Sequence, residues 1–384
     1  MNRHRRVSVG QSVLGSAREA GMAAAQEVCD PDLRLLVVFS SHKYSLGELV
    51  DAVGDVARDV PVIGCSTVDE IGPMATFDSG VVVVGFSGDF AITVGHATDF
   101  TDPRRVGETV ARALLPLPDL PHKVVLMLTD SLAGDQQEMI RGAYAVLGAH
   151  VALVGGGAGD DMRMVTSRQV IGRKVMTNAV VAACIASEGP FGLSVRHGWH
   201  CQGEAMMVTA SRGNDVYTLD DRPALDVYLE RHEAPAGIET DRAAFAEFAL
   251  TRPLNVARRG DVAVRHVLGA DPAVRKVYCA GAVPRGAALW LASGDIDSTL
   301  AAADLASAEA IGALGRSQPL AMLVFDCAGR RAVLGGAGLK AERQAMRERA
   351  GTAPVAGFYS YGEIARITGA NGFHNQTIVT LALS

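Results

Sequence analysis

Residues 61–72 read PVIGCSTVDEIG, and residues 354–365 read PVAGFYSYGEIA. Both stretches contain a Pro-Val-x-Gly turn, and in both a Glu-Ile pair begins six residues after the glycine. Each stretch follows a helical pattern, enters a short apolar strand and turns at the glycine, where a backbone without Cβ can approach a neighbour closely. The repeat predicts that the chain contains two related halves.

The apolar runs around these stretches predict the fold class. Runs that are apolar at nearly every position are typical of strands buried on both faces, and they occur at 34–40, 80–87, 91–97, 123–130 and 179–187. Patterns with helical spacing lie between them, at 45–58, 104–115 and 134–148. We expect a mixed α/β fold with two similar halves, each a mixed sheet covered by helices. A four-layer sandwich is one packing that we consider.

Two segments predict antiparallel pairing in particular. The two strands at 80–97 are separated by a short turn, and 320–335 reads as a buried strand, a glycine turn and a second strand. We place a soft boundary between the halves at about 220, where two strands and a turn lead into a helix.

Charge and composition argue against several classes of partner. The 384 residues carry a net charge of −6 and contain no Lys/Arg-rich stripe, so nucleic acid and anionic membrane surfaces are poor candidates. No stretch approaches the roughly twenty apolar residues of a membrane span. The N-terminal segment lacks the apolar core of a signal peptide, and we expect a cytoplasmic protein.

The six cysteines show neither a C-x-x-C pair nor the spacing of a zinc site. We therefore expect no metal site and no disulfide scaffold.

Polar residues beside the two turns form the candidate ligand-binding set, since two such turns can converge on one cleft between the halves. The set comprises Cys65, Ser66, Thr67, Glu70, Cys327, Arg330, Tyr359, Ser360, Glu363, His374 and Asn375. For any single residue, holding its own turn is the more usual role.

The chemistry of this set suits a small polar metabolite such as an amino acid. Glu363 would meet an ammonium group and Arg330 a carboxylate. A rival hypothesis is a cysteine-dependent enzyme that uses Cys327 with His374 as base and Asp326 beside them, a combination that also occurs by chance. We expect a non-catalytic protein without a cofactor.

Haem is the alternative that we consider to the absence of a cofactor. In RHGWHC (196–201), His197 is the best-placed axial ligand and has Trp199 nearby, and His374 is the second candidate. A cleft rich in hydroxyls and carboxylates is less suited to a macrocycle than to a small polar ligand.

With these residues identified, the chain resembles the FIST-domain proteins, in which an N-terminal and a C-terminal FIST domain are fused. The resemblance rests on GCSTVDEI (64–71), on HGWHCQGEAMMVTASRGNDVYTLDDRPALDVY (197–228) and on FDCAGR, GFYSYGEI and FHNQT near the end. Asp69 stands where the family usually has glycine. On this basis 30–220 would be the FIST N domain and 221–384 the FIST C domain, with a strand and helix in 1–29 packing on the former.

The resemblance also implies a function. FIST domains are regarded as sensory modules that bind small ligands, and some bacterial members are haem-binding nitric-oxide sensors. It implies that this chain signals through a separate partner protein, such as a kinase or a cyclase.

Overall fold

The computed structural model describes residues 4–74, 79–258, 261–366 and 372–384. The helices of these segments are α1 (Ala17–Glu27), α2 (Leu46–Ala57), α3 (Pro103–Ala113), α4 (Gln136–Leu147), α5 (Ala224–Arg231), α6 (Arg242–Leu250), α7 (Ile296–Gly312) and α8 (Ala328–Ala350). The strands up to residue 187 are β1 (Arg6–Ser12), β2 (Leu33–Ser41), β3 (Val62–Thr67), β4 (Asp69–Ile71), β5 (Val81–Ser87), β6 (Ala91–Thr98), β7 (His122–Thr129), β8 (Ala152–Gly157), β9 (Gln169–Ile171), β10 (Lys174–Met176) and β11 (Ala179–Ser187). The later strands are β12 (Phe191–Arg196), β13 (His200–Arg212), β14 (Asp215–Leu219), β15 (Arg222–Pro223), β16 (Leu254–Arg258), β17 (Asp261–Arg265), β18 (Val267–Asp271), β19 (Lys276–Cys279), β20 (Ala288–Ser293), β21 (Ala321–Cys327), β22 (Val355–Ser360), β23 (Glu363–Arg366), β24 (Phe373–His374) and β25 (Ile378–Leu383).

Three sheets surround one central core. In the segments described, their strand orders are β1-β5-β2-β3-β9-β10 (first sheet), β6-β11-β7-β8-β23-β24 (second) and β12-β25-β21-β22-β4 (third). Apolar side chains from the inner faces of all three meet in the core, including an aromatic contact among Phe39, Phe325 and Phe358. Helices α1 and α2 cover the first sheet, α3 and α4 the second, and α7 and α8 the third. The mixed α/β prediction is confirmed.

The three sheets are built from one repeated unit, which occurs three times in the described part of the chain. Unit 1 runs β1-α1-β2-α2-β3-β4-β5, unit 2 runs β6-α3-β7-α4-β8-β9-β10-β11, and unit 3 runs β12-α7-β21-α8-β22-β23-β24-β25. In each unit the last strand pairs antiparallel with the first two strands, and the second and third strands pair in parallel. The two copies of the quoted motif therefore belong to units 1 and 3 and have a structural counterpart in unit 2.

Each unit extends a neighbour's sheet: unit 1 contributes β4 to the third sheet, unit 2 contributes β9 and β10 to the first, and unit 3 contributes β23 and β24 to the second. Glu70 of β4 lies opposite Phe358 of unit 3, Glu363 of β23 lies opposite Gly156 of unit 2, and Gln169 of β9 lies opposite Cys65 of unit 1. These three positions are equivalent, and the exchange closes into a ring.

A fourth sheet interrupts unit 3 between β12 and α7. Its order is β17-β16-β20-β13-β14-β19-β18, with β15 on β14, and α5 and α6 pack on its own apolar core. We call it the inserted sheet. Its edge strand β17 approaches β24 of unit 3.

Three finer expectations were wrong. Strands β5 and β6 do not pair, because Gly88, with a φ of 85°, turns the chain out of the first sheet and β6 begins the second. Residues 328–335 form the start of α8 rather than a strand, and the positive φ of Gly335 is a kink within that helix. The four-layer stack does not occur, because three sheets rather than two face the central core.

None of the helices within the described residues is long and apolar enough to cross a membrane.

Candidate functional site

The eleven candidate residues fall into three environments. Cys65, Ser66, Thr67 and Glu70 are buried in unit 1, and Arg330, Tyr359, Ser360 and Glu363 are buried in unit 3 with Cys327. His374 and Asn375 lie beside the inserted sheet. They do not line a single cleft, because most of their polar groups bind one another inside the protein.

The two glycine turns do lie next to each other. The backbone N–H of Val68 donates to the carbonyl of Tyr359 over 3.1 Å, and Asp69 pairs with Tyr359 across the strands. Asp69 also forms ion pairs with Arg331 at 3.1 Å and Arg343 at 3.4 Å. The side chain that replaces the usual glycine therefore ties unit 1 to α8.

The two glutamates are internal hydrogen-bond acceptors. Thr67 donates to Glu70, and Ser360 and Thr377 each donate to Glu363 over 2.8 Å. Burial raises the pKa of both carboxyls to about 8, although these hydrogen bonds act in the opposite direction. Both groups are therefore largely protonated at pH 7, and Gln169, a neutral side chain of similar shape, occupies the equivalent position in unit 2.

This chemistry predicts how stability depends on pH. The folded state keeps a proton on Glu363 between the ordinary value of 4.5 and about 8, where the unfolded state has lost it. That contribution is complete below pH 4.5 and falls as pH rises towards 8, by up to about 1.4 kcal/mol per pH unit for one proton. Glu363→Gln is expected to flatten the decline in unfolding free energy between pH 6 and 8, measured by urea titration. Glu348→Gln, at an exposed position, is the control. If the unfolding free energies of wild type and Glu363→Gln changed with pH in parallel, the raised pKa of Glu363 would be contradicted.

Arg330 is the most completely bonded of the candidates. It donates to Asp326 at 2.6 Å, to Glu342 at 2.8 Å, and to the carbonyls of His197 at 2.9 Å and Thr299 at 3.2 Å. Its side chain is fully buried, and the two carboxyl groups raise its pKa against the effect of burial. Arg330 is thus engaged within the protein, and the prediction that it meets a ligand carboxylate is replaced by a positioning role.

Cys327 is not arranged as a nucleophile. Its sulfur accepts a hydrogen bond from the backbone N–H of Gln376 at 3.2 Å, whereas His374 contacts the carbonyl of Ala365 at 2.9 Å. Burial raises the pKa of the thiol well above 9 and lowers that of His374 to about 4. A thiolate–imidazolium pair would require the opposite shifts.

A cavity with a volume of about 680 Å³ lies between the inserted sheet and unit 3. Its walls come from β12, β13, the β16–β17 hairpin, α7 and the segment 373–377. Six basic side chains line it: Arg196, His197, His200, Arg258, Arg265 and His374. We call it the Arg/His cavity. Sequence reasoning named His197, His374 and Asn375 but missed the arginines, because only the β16–β17 hairpin brings Arg258 and Arg265 to this wall.

Two smaller cavities hold other candidates. Ser66 lines a cavity of about 270 Å³ together with Tyr44, Arg163 and Arg168. Cys327, Ser360 and Asn375 line one of about 50 Å³. Asn375 therefore stands between the Arg/His cavity and the smaller one beside Cys327.

The Arg/His cavity brings together both histidines that the sequence names as haem ligands. His197 accepts a hydrogen bond at Nδ1 from the Trp199 backbone at 3.0 Å. A macrocycle requires broad apolar faces, whereas basic side chains project from several walls here. The lining fits a small polar ligand better than haem. Among the described residues, no cluster of three or more His, Cys, Asp or Glu side chains could hold a metal ion.

Comparison with known proteins agrees with the sequence resemblance. The FIST N domain matches residues 34–222 and the FIST C domain matches residues 224–366. An uncharacterized protein of Mycobacterium tuberculosis strain H37Rv is 25% identical over 382 residues, which cover 97% of this chain and 96% of that protein. An uncharacterized protein of Mycobacterium bovis is 26% identical over 401 residues, covering 97% of both chains.

Two cyanuric acid hydrolase structures, one of them from A. caulinodans, each align with 99% of this chain. The alignments cover 100% of the first hydrolase chain and 99% of the second. They have 10% identity and TM-scores of 0.35 and 0.34, which are too low to support an inference about this protein. The two domain matches together span most of the sequence. The chain belongs to the FIST-domain family.

Proposed function

We propose that this protein is a non-catalytic sensor that binds a small polar metabolite in the Arg/His cavity. FIST domains are signal-transduction sensor domains, and this chain contains both of them. The observation that supports the proposal is a cavity of about 680 Å³ between the two domains, with several polar side chains converging on it. Cavities of this size that lie between domains are common ligand sites.

The position of the cavity suits a sensor because its walls belong to different parts of the chain. Lining residues 195–200 fall in the FIST N match, whereas 258–265 and 298–305 fall in the FIST C match. A ligand that contacts both walls favours the arrangement in which they are correctly spaced. We propose that this shift is detected by a partner protein such as a kinase or cyclase, as the family implies.

Arg330 links two walls of the cavity from their buried side. Its guanidinium donates to the carbonyls of His197 and Thr299, and these residues lie in the two walls formed by 195–200 and α7. Asp326 and Glu342 hold the guanidinium in place. Arg330 therefore holds these two walls at a fixed spacing, which lowers the cost of ordering on binding. The wall whose spacing a ligand would shift is the one formed by β16 and β17.

A metabolite panel containing neutral, cationic and anionic compounds tests the proposal by thermal shift. Ala301 is an exposed residue of α7 that lines the cavity, so Ala301→Trp should obstruct part of the cavity without disturbing the core. The control, Ala246→Trp, places the same side chain on an exposed position of α6 outside it. At least one compound is expected to raise the melting temperature of the wild type and of Ala246→Trp but not that of Ala301→Trp. A panel without such a compound would contradict the proposal.

Haem binding at His197 is the alternative that the two lining histidines favour. After expression with a haem supply, the purified protein is expected to be colourless. A stoichiometric Soret band that His197→Ala abolishes would replace the proposed metabolite sensor with a haem sensor.

A further inference from the structure

The charge of the Arg/His cavity is one-sided. Among its described lining residues there are three arginines and three histidines and no aspartate or glutamate. Arg196 pairs with Glu309 at the rim, where both side chains are substantially exposed. Arg258 and Arg265 also line the cavity, and neither forms an ion pair among the described contacts.

Arg265 differs sharply from Arg330, the other buried arginine beside the cavity. Two carboxyl groups neutralise Arg330. Arg265 is only 5% exposed, yet its described hydrogen bonds go to two carbonyl oxygens, from Nε to Ala282 at 3.1 Å and from Nη1 to Val264 at 2.9 Å. A buried guanidinium without a counter-charge carries a large desolvation cost, which an anionic ligand would offset.

The cationic groups also lie close enough to affect one another. Burial and, to a smaller extent, the charge of Arg258 lower the pKa of Arg265 to about 10. Burial lowers the pKa of His374 to about 4, with Arg265 and Arg258 acting in the same direction. Arg258 and Arg265 therefore produce a positive potential at the His374 wall, where a negative group would be stabilised.

A second polar group lies on Asn375, a residue that this cavity shares with the smaller one beside Cys327. Asn375 is 4% exposed, and its Oδ1 has no hydrogen-bond partner among the described residues. A buried amide oxygen left unsatisfied costs about 1–3 kcal/mol. A ligand that offers a hydroxyl or amino donor next to its negative group would satisfy this oxygen.

We propose that the Arg/His cavity binds a small organic anion, with a carboxylate or phosphate group between Arg258 and Arg265 and a donor group towards Asn375. This inference rests on the proposed function and specifies its ligand class. The absence of a described acidic lining residue argues against a cationic ligand, and it removes the ammonium contact that the sequence suggested for Glu363, which is not a lining residue.

Calorimetric titration at constant ionic strength tests the ligand class with three probes: succinate, inorganic phosphate and the neutral diamide succinamide. Wild-type protein is expected to bind succinate or phosphate more tightly than succinamide. Arg258→Gln, at a half-buried position, should weaken that binding by about tenfold or more, as expected for loss of one charge-assisted contact. Arg265→Gln should have an effect at least as large. Arg316→Gln removes an exposed charge beyond α7 and should change binding less than about twofold.

Failure of the ligand class can be distinguished from failure of the proposed function. Equal affinity for succinamide and succinate, equal affinity of Arg258→Gln and Arg316→Gln, or no binding of either anion would overturn the anion assignment. If one of these results were found while Ala301→Trp still abolished the thermal shift caused by a neutral compound, the cavity would remain the ligand site. Only the ligand class would then be wrong.

Discussion

Replacing Arg330 by methionine is expected to lower the free energy of unfolding by about 3–5 kcal/mol, the usual cost of removing one partner from a buried ion pair. Asp326 and Glu342 would be left facing each other, without charge compensation and out of contact with water. Burial and the neighbouring Asp326 already raise the pKa of Glu342 to about 8. Urea denaturation at pH 7 measures the loss.

Arg349→Met is the matched control because Arg349 makes two hydrogen bonds to Asp304 on the protein surface. Exposed pairs of this kind contribute about 0–1 kcal/mol. Adding Asp326→Asn and Glu342→Gln to Arg330→Met should restore part of the stability, since the uncompensated carboxylates are then gone. A loss below about 1 kcal/mol for Arg330→Met alone would show that the guanidinium does not hold the network together.

The second large effect is expected at Gly357, the glycine of the second Pro-Val-x-Gly turn. A Cβ there would lie 1.7 Å from the carbonyl oxygen of Val324 in the parallel neighbour β21. Because that oxygen belongs to the backbone, the two strands would have to separate. Gly357→Ala is therefore expected to cost about 3 kcal/mol or to prevent folding.

The equivalent glycine of unit 1 tests whether the loss of stability follows the closeness of the contact. At Gly64 the same Cβ would be 2.5 Å from the carbonyl oxygen of Val38, so Gly64→Ala should cost less than Gly357→Ala. At Gly47, in the first turn of α2, an added Cβ would have no neighbouring heavy atom within 4 Å, and Gly47→Ala should be neutral or slightly stabilising. Equal losses for Gly357→Ala and Gly47→Ala in urea denaturation would refute the close approach of the strands.

The sequence was sufficient to show that a motif is repeated, but it did not reveal the third copy of the unit. In units 1 and 3 a short connection joins the strand that contains the glycine to the strand that contains the glutamate, so the two motifs have the same spacing. In unit 2 the connection from Gly157 to Gln169 is longer. The Asp160 carboxylate holds it by accepting backbone N–H groups from Met164, Val165 and Thr166. With Gln169 in place of glutamate, little of the motif remains for a sequence comparison to detect.

The candidate site was predicted less well, for a different physical reason. Residue types beside a turn do not reveal whether a side chain faces a ligand or a neighbouring element. Glu363 and Arg330 have the chemistry of ligand contacts but are bonded inside the protein, to Thr377 and Glu342 among others. Arg258 and Arg265 lie in a hairpin with no motif, and only the long-range packing of the inserted sheet brings them to His374.

A crystal structure of the protein with a compound selected by the metabolite panel tests the central claim most directly. The account predicts density for the compound in the Arg/His cavity, in contact with Arg265 and Asn375 and bounded by α7. Density for the compound elsewhere, such as in the cavity beside Tyr44 and Arg163, with the Arg/His cavity holding only solvent, would contradict it.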